Sequence, residues 1–152
     1  MGVEVLEDAV FGTLTWDAEL GWWAGRAELS PGYGLRVYIE SVVEAGEARG
    51  EDLERARSLW AVLCGTERTL RLKAAEEMFW GMYCDWRQGV DPPAPELDLH
   101  GFVEAFRLQS VTFWGEEGAE LYLDDALEVF GGHVPRFCVD EHGNFEPGSA
   151  AL

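Results

Sequence analysis

Lysine occurs once in this sequence, at position 73, and basic side chains number 11 against 29 acidic ones. The resulting formal charge of −18 repels nucleic acid phosphates and anionic membrane surfaces alike, so direct binding to either is not expected. No glycine-rich loop is followed by lysine, and Gly131-Gly132 does not complete a G-x-G-x-x-G fingerprint, which removes the common nucleotide-binding loops. The three cysteines, Cys64, Cys84 and Cys138, are odd in number and lack C-x-x-C spacing. That pattern argues against a disulfide framework or a zinc site and fits buried thiols in a reducing compartment. No segment approaches the ~18 apolar residues of a membrane span. The start, Met1 to Asp8, has neither a basic region nor a long apolar one, so no secretory leader is expected. Leu6 stands where a Met-Gly myristoylation signal would carry Ser or Thr. The expected location is the cytoplasm.

What is present argues for a folded globule. Hydrophobic residues make up 47% and aromatic residues 12%, including seven tryptophans, whereas disordered acidic chains lack aromatics. The length suits one domain over residues 1–152, divided into a β-rich part (9–41), a helical part (51–107), a second β-rich part (108–146) and a loose tail (147–152). Val10 to Asp17 reads as a strand, with a hairpin loop at 17–21 and a second strand from Trp22 to Leu29. Leu35, Val37 and Ile39 then alternate with Arg36, Tyr38 and Glu40, the pattern of a half-buried strand. A polar loop is expected over Glu44–Gly50. Leu53, Ala56, Trp60 and Leu63 recur at helical spacing, with Gly65 as a stop and Thr66 as the cap of a second helix. Leu72, Ala75, Phe79, Met82 and Trp86 continue that spacing to Gly89. The pairs Glu51–Arg55 and Glu67–Arg71 are i,i+4 ion pairs, each expected to contribute ~0.2–0.5 kcal/mol. Asp91 to Pro95 forms a stiff connector, and Asp98 caps a short helix. Strands follow at Gln109–Trp114, Ala119–Leu123 and His133–Val139. The predicted fold class is α+β: a mainly antiparallel sheet from the N- and C-terminal strands, with the central helical block packed on one face.

Three groups of residues are candidates for function. Trp22 and Trp23 lie next to each other on a strand, so their indoles face opposite sides and one is available as an anchor for a partner. Glu19, Glu40, Glu116, Glu117 and Glu120 are the candidate rim charges around it. The second group centres on His133, after Phe130-Gly131-Gly132, with Asp124 and Asp125 as carboxylates for acid–base chemistry. Strand parity with Pro135, Phe137 and Val139 instead favours a buried His133. Asp140, Glu141 and His142 form the third group, a possible cation site. Their spacing matches neither a calcium loop nor a zinc motif, and ordinary turn chemistry explains them better. No cofactor is expected. The charge is also uneven: residues 1–50 carry net −6, residues 51–95 net −2 and residues 96–152 net −10. If the two β-rich parts form one sheet, an acidic face follows.

The chain resembles a family of small bacterial proteins known only as a domain of unknown function. The resemblance rests on Phe11 to Asp17, Ala74 to Trp86, Phe102 to Leu108 with Ser110-Val111, and Leu121 to Asp125. It closes with Phe130 to His133 and Val139 to Gly143. It implies a cytoplasmic, bacterial, single-domain protein and carries over no catalytic residues. A more general likeness is to acidic immunity proteins, which neutralise a cognate toxin. The function expected is therefore a non-enzymatic acidic protein-binding module, an immunity-type inhibitor of a basic toxin or nuclease. The alternatives are a metal-dependent or acid–base enzyme centred on His133, and a nucleic-acid mimic built from the acidic flanks.

Overall fold

The computed structural model describes residues 4–41, 48–125 and 127–152. Among them, seven strands form one sheet in sequence order: β1 (Val5–Asp8), β2 (Gly12–Asp17), β3 (Trp22–Ser30), β4 (Tyr33–Glu40), β5 (Leu108–Phe113), β6 (Ala119–Leu123) and β7 (Arg136–Val139). Every neighbouring pair is antiparallel except β4 and β5, which run parallel. A parallel pair needs a long crossover, and the helical middle of the chain supplies it. The two β-rich parts are thus halves of a single sheet joined at β4–β5, and the α+β class read from the sequence holds.

The crossover begins with α1 (Ala48–Ala74), which passes through a π-helical turn at Ala75–Phe79 into α2 (Trp80–Trp86). A short α3 (Leu99–Ala105) follows, its N-terminus capped by Asp98 Oδ1, which accepts the Gly101 N–H at 2.7 Å. Leu53, Ala56, Trp60, Leu63, Leu70 and Phe79 face the sheet and are buried. They meet Leu35, Val37 and Ile39 of β4, Val111 and Phe113 of β5, and Leu121 and Phe137 of β6 and β7, in one continuous core.

The structure differs from the sequence reading at several points. Gly65 does not stop the helix: it is exposed, and a single glycine costs roughly 1 kcal/mol without removing a backbone bond. Thr66 caps nothing, since its hydroxyl donates back to the Val62 carbonyl at 2.8 Å. Of the loop expected at Glu44–Gly50, residues 44–47 lie outside the described residues, as does the Met1-Gly2 start, and 48–50 already belong to α1. β1 falls in a segment read only for targeting signals. It pairs with β2 from Val5↔Thr15 to Asp8↔Gly12, so the first predicted strand begins two residues later than expected. The last strand begins at Arg136 rather than His133. The tail is held: Ala151 exchanges two backbone hydrogen bonds with Arg136, and Glu77 accepts the N–H groups of Gly148 and Ala150 at 2.9 and 3.1 Å. An open β7 edge and an acceptor on the helix explain that order, because each gives the tail's N–H groups a partner.

Candidate functional site

Strand alternation divides the sheet into two unlike faces. Leu6, Leu14, Trp23, Leu35, Val37, Ile39, Val111, Leu121 and Phe137 point toward the helices. The opposite face is left to solvent, with Arg26, Glu28 and Arg36 exposed and Trp22, Tyr38, Glu40, Tyr122 and Cys138 half-buried.

This alternation separates the two candidate tryptophans. Trp23 is 1% exposed and packs on Trp16 with ring centroids 5.2 Å apart, so it offers a partner no surface. Its place among the partner-binding candidates is corrected accordingly. Trp22 points outward and packs against Tyr38, centroids 4.7 Å apart, and against Trp114 at 6.4 Å. The three rings come from β3, β4 and the end of β5, and form an aromatic patch at one end of the open face. Tyr38 and Trp114 were not singled out from sequence, although the outward parity of Tyr38 with Glu40 was a usable signal. Trp114 lies more than 70 residues from Tyr38, and only the parallel β4–β5 pairing brings them together.

Carboxylates rim the patch unevenly. Glu40 is the direct cross-strand partner of Trp22. Partial burial, together with the nearby negative charges of Glu117 and Asp52, pushes the Glu40 carboxyl above its ordinary value. Glu116 sits in the 3₁₀ turn Gly115–Glu117, where it accepts from Arg55 at 3.1 Å while Arg55 also binds Glu51 at 2.6 Å. Glu19 is exposed on the β2–β3 hairpin turn. Glu120 lies on β6, where it accepts the Tyr122 hydroxyl, farther from the indoles than Glu40. The structure therefore gathers Trp22, Glu40 and Glu117 at one point. Glu116 is drawn toward α1, and Glu120 lies toward the far edge.

The His133 group does not converge. His133 is exposed ahead of β7, which corrects the expectation of a buried ring. The strand parity was sound for Pro135, Phe137 and Val139, all buried, but Gly131 and Gly132 both have positive φ and turn the chain before the strand begins. Asp125 caps that turn by accepting the N–H groups of Val129 and Phe130 at 2.9 and 3.0 Å, and Asp124 is exposed. Among the described residues, neither carboxylate makes a hydrogen bond or ion pair with His133.

Asp140 similarly organises its own turn, accepting the N–H groups of His142 and Asn144, both at 2.9 Å. Those donors hold its carboxyl below the ordinary value. Glu141 and His142 pair at 3.3 Å on the surface. They border a cleft of about 380 Å³ against the start of α1, lined also by Asp52, Arg55, Ser58 and Leu59 among others. Asp52 Oδ2 also accepts the Ser41 hydroxyl at 3.0 Å. Among the described residues, no three His, Cys, Asp or Glu side chains are grouped so as to hold a metal ion. No helix among them is long and apolar enough to cross a membrane.

The expected acidic face takes a more specific form. On the open face acids accompany the aromatic patch, while Arg26, Arg36 and Arg136 lie four residues farther along their strands, where they are exposed; Glu28, two residues beyond Arg26, and Glu7 on β1 are acids at that arginine end. No curated protein and no solved structure matches the chain. A family model spanning residues 8–149, from the end of β1 to the ordered tail, does match, and the chain belongs to that family, DUF2262, described as uncharacterized protein conserved in bacteria.

Proposed function

We propose that this chain is a non-enzymatic protein-binding module that presents an acid-rimmed aromatic surface to a basic protein, in the manner of an immunity-type inhibitor of a toxin or nuclease. The observation that carries this reading is the Trp22–Tyr38–Trp114 patch on a solvent-facing sheet, with Glu40 and Glu117 beside it. Aromatic side chains at the centre of an interface supply most of its binding energy, and surrounding charges steer the approach of an opposite surface. Glu40 adds a specific driving force. Partly buried and crowded by Glu117 and Asp52, its carboxylate is held in an unfavourable setting that an incoming arginine or lysine relieves.

Affinity capture from a bacterial host, with the full chain as bait at low and high salt, tests the reading. It expects a basic protein retained at low salt, released at high salt, and lost with Trp22→Ala and with Glu40→Lys while both variants keep the wild-type circular dichroism spectrum. Retention of the same partners by both variants would remove the patch from the binding surface and the reading with it.

A further inference from the structure

The open face of the sheet carries a second feature that the acidic-module reading does not use. Arg26 and Arg36 are direct cross-strand partners on β3 and β4. The same row continues through Ser110 and Tyr122 to Arg136 on β7. Like charges placed opposite each other destabilise a sheet, and this chain has 29 acids with which to compensate them. Yet among the described residues none of the three arginines holds an ion pair or side-chain hydrogen bond. Arg55, Arg57, Arg68 and Arg71 each hold a carboxylate. Four residues along the same strands, about 13 Å away, lies the opposite row: Trp22 on β3, Glu40 on β4 and Asp140 after β7. Between the rows run Ala24, Tyr38, Thr112, Glu120 and Cys138.

We infer that this face docks a second copy of the chain, with the acid-and-tryptophan row of each copy on the arginine row of the other. A two-fold axis along the middle row produces this arrangement at every strand. It sets Glu40 over Arg36 of the partner subunit, Trp22 over Arg26 of the partner subunit, and Asp140 over Arg136 of the partner subunit. The first and last are ion pairs and the second is a cation–π contact. A two-fold interface is self-complementary by construction, and on β4 and β7 the face carries an acid and an arginine four residues apart, as that requires, while Glu7 and Glu28 remain as acids at the arginine end. The same axis brings Glu120 near its own counterpart in the second copy, a like-charge contact that opposes association and that the Tyr122 hydroxyl, donating to Glu120, only partly offsets. The strands β2 to β7, four to nine residues long and about 4.8 Å apart, together offer about 600 Å² per copy. That is about 1,200 Å² in total, the lower end of a stable interface. The net charge of −18 on each copy opposes association, but at physiological salt charges farther apart than about 8 Å are largely screened, leaving the facing rows to decide. A basic partner seated on Trp22 would displace the second copy, so the two associations exclude each other.

Sedimentation equilibrium of the full chain alone tests the inference independently of any basic partner. The expected result is a mass that rises with concentration from 17.0 kDa toward twice that value at physiological salt. Arg36→Glu and Glu40→Arg should each weaken the dimer at least about tenfold, because each places like charges together at two symmetric points. An equimolar mixture of the two variants restores both pairs and should return the dimer, which also shows that both variants are folded. A chain that stays at 17.0 kDa up to millimolar concentration overturns the inference while leaving the basic-partner reading intact. So does a dimer that neither substitution weakens, or a mixture that dimerises no better than the single variants.

Discussion

Tyr33 Oη lies 2.7 Å from the backbone nitrogen of Leu108 and accepts its hydrogen, tying the first residue of β4 to the first residue of β5 at the point where the parallel pair begins. The hydroxyl also donates to Glu67 at 3.4 Å, and Glu67 in turn binds Arg71 at 2.7 Å. Arg71 is 4% exposed and donates to the Val103 and Phe106 carbonyls at the end of α3. Burial pushes the Tyr33 hydroxyl pKa up, so it stays protonated and keeps both roles. Helix α1, helix α3 and both halves of the sheet meet in this one network. Tyr33→Phe leaves the Leu108 N–H buried without its acceptor and should cost about 1–3 kcal/mol, read as a lowered midpoint in urea with an unchanged slope.

Buried Asp8 and half-exposed Arg57 form the second link, between β1 and α1. Asp8 Oδ1 accepts Arg57 Nε at 2.8 Å, while Oδ2 accepts the N–H groups of Val10 and Phe11 at 2.9 and 3.0 Å. Burial raises the Asp8 pKa, but Arg57 and the two N–H groups outweigh it and hold the carboxyl below 3.8. The native state therefore favours the charged form. Its stabilisation is present above the unfolded-state value near 3.8 and is lost as pH falls through the lower native value. Asp8→Asn should lower stability by about 2–3 kcal/mol at pH 7, and the gap to wild type should close as unfolding is measured at progressively lower pH.

Glu40 runs the other way. Its carboxyl is raised above the ordinary 4.5, so the native state favours the neutral form and the ionised form is a destabilising element at neutral pH. Glu40→Gln should raise the melting temperature at pH 7, by one to a few degrees for a domain of this size. That gain should vanish at pH values below 4.5, where wild-type Glu40 is protonated in both states. An unchanged difference across that range would mean that neither burial nor the neighbouring charges act on Glu40.

Gly118, between the 3₁₀ turn and β6, has φ +93°, and a Cβ built there would lie 2.1 Å from the Val139 carbonyl oxygen. Both the backbone angle and the space therefore require glycine. Gly118→Ala should cost at least about 2 kcal/mol, whereas Gly65→Ala, on the exposed face of α1 with open space around it, should stabilise by about 0.5–1 kcal/mol. Parallel urea titrations of the two variants give the comparison directly.

Much of this architecture was legible before the structure. Leu35, Val37 and Ile39 alternate in the sequence and are all buried, and Asp98 caps α3 as its position before the apolar run indicated. Glu67–Arg71 was legible as a pair but not as a buried one. Its i,i+4 spacing is identical to that of Glu51–Arg55, whose Glu51 is exposed, and nothing local distinguishes them. His133 was misplaced for a related reason. Period-two parity extends backward from Phe137 in the sequence indefinitely, while the strand itself ends where Gly131 and Gly132 turn the chain.

The same division applies to the charge. Composition and periodicity determined that the chain is strongly acidic, that its strands have one apolar side, and that Trp22 and Trp23 face opposite ways. These properties depend on neighbours within a few residues. Tertiary structure alone decided that the β-rich halves join through parallel β4 and β5, that Trp114 meets Trp22, and that Arg26, Arg36 and Arg136 fall in one row opposite Glu40. Those proximities join residues up to about a hundred positions apart, and they follow from burying one shared core beneath the crossover helices rather than from any local pattern.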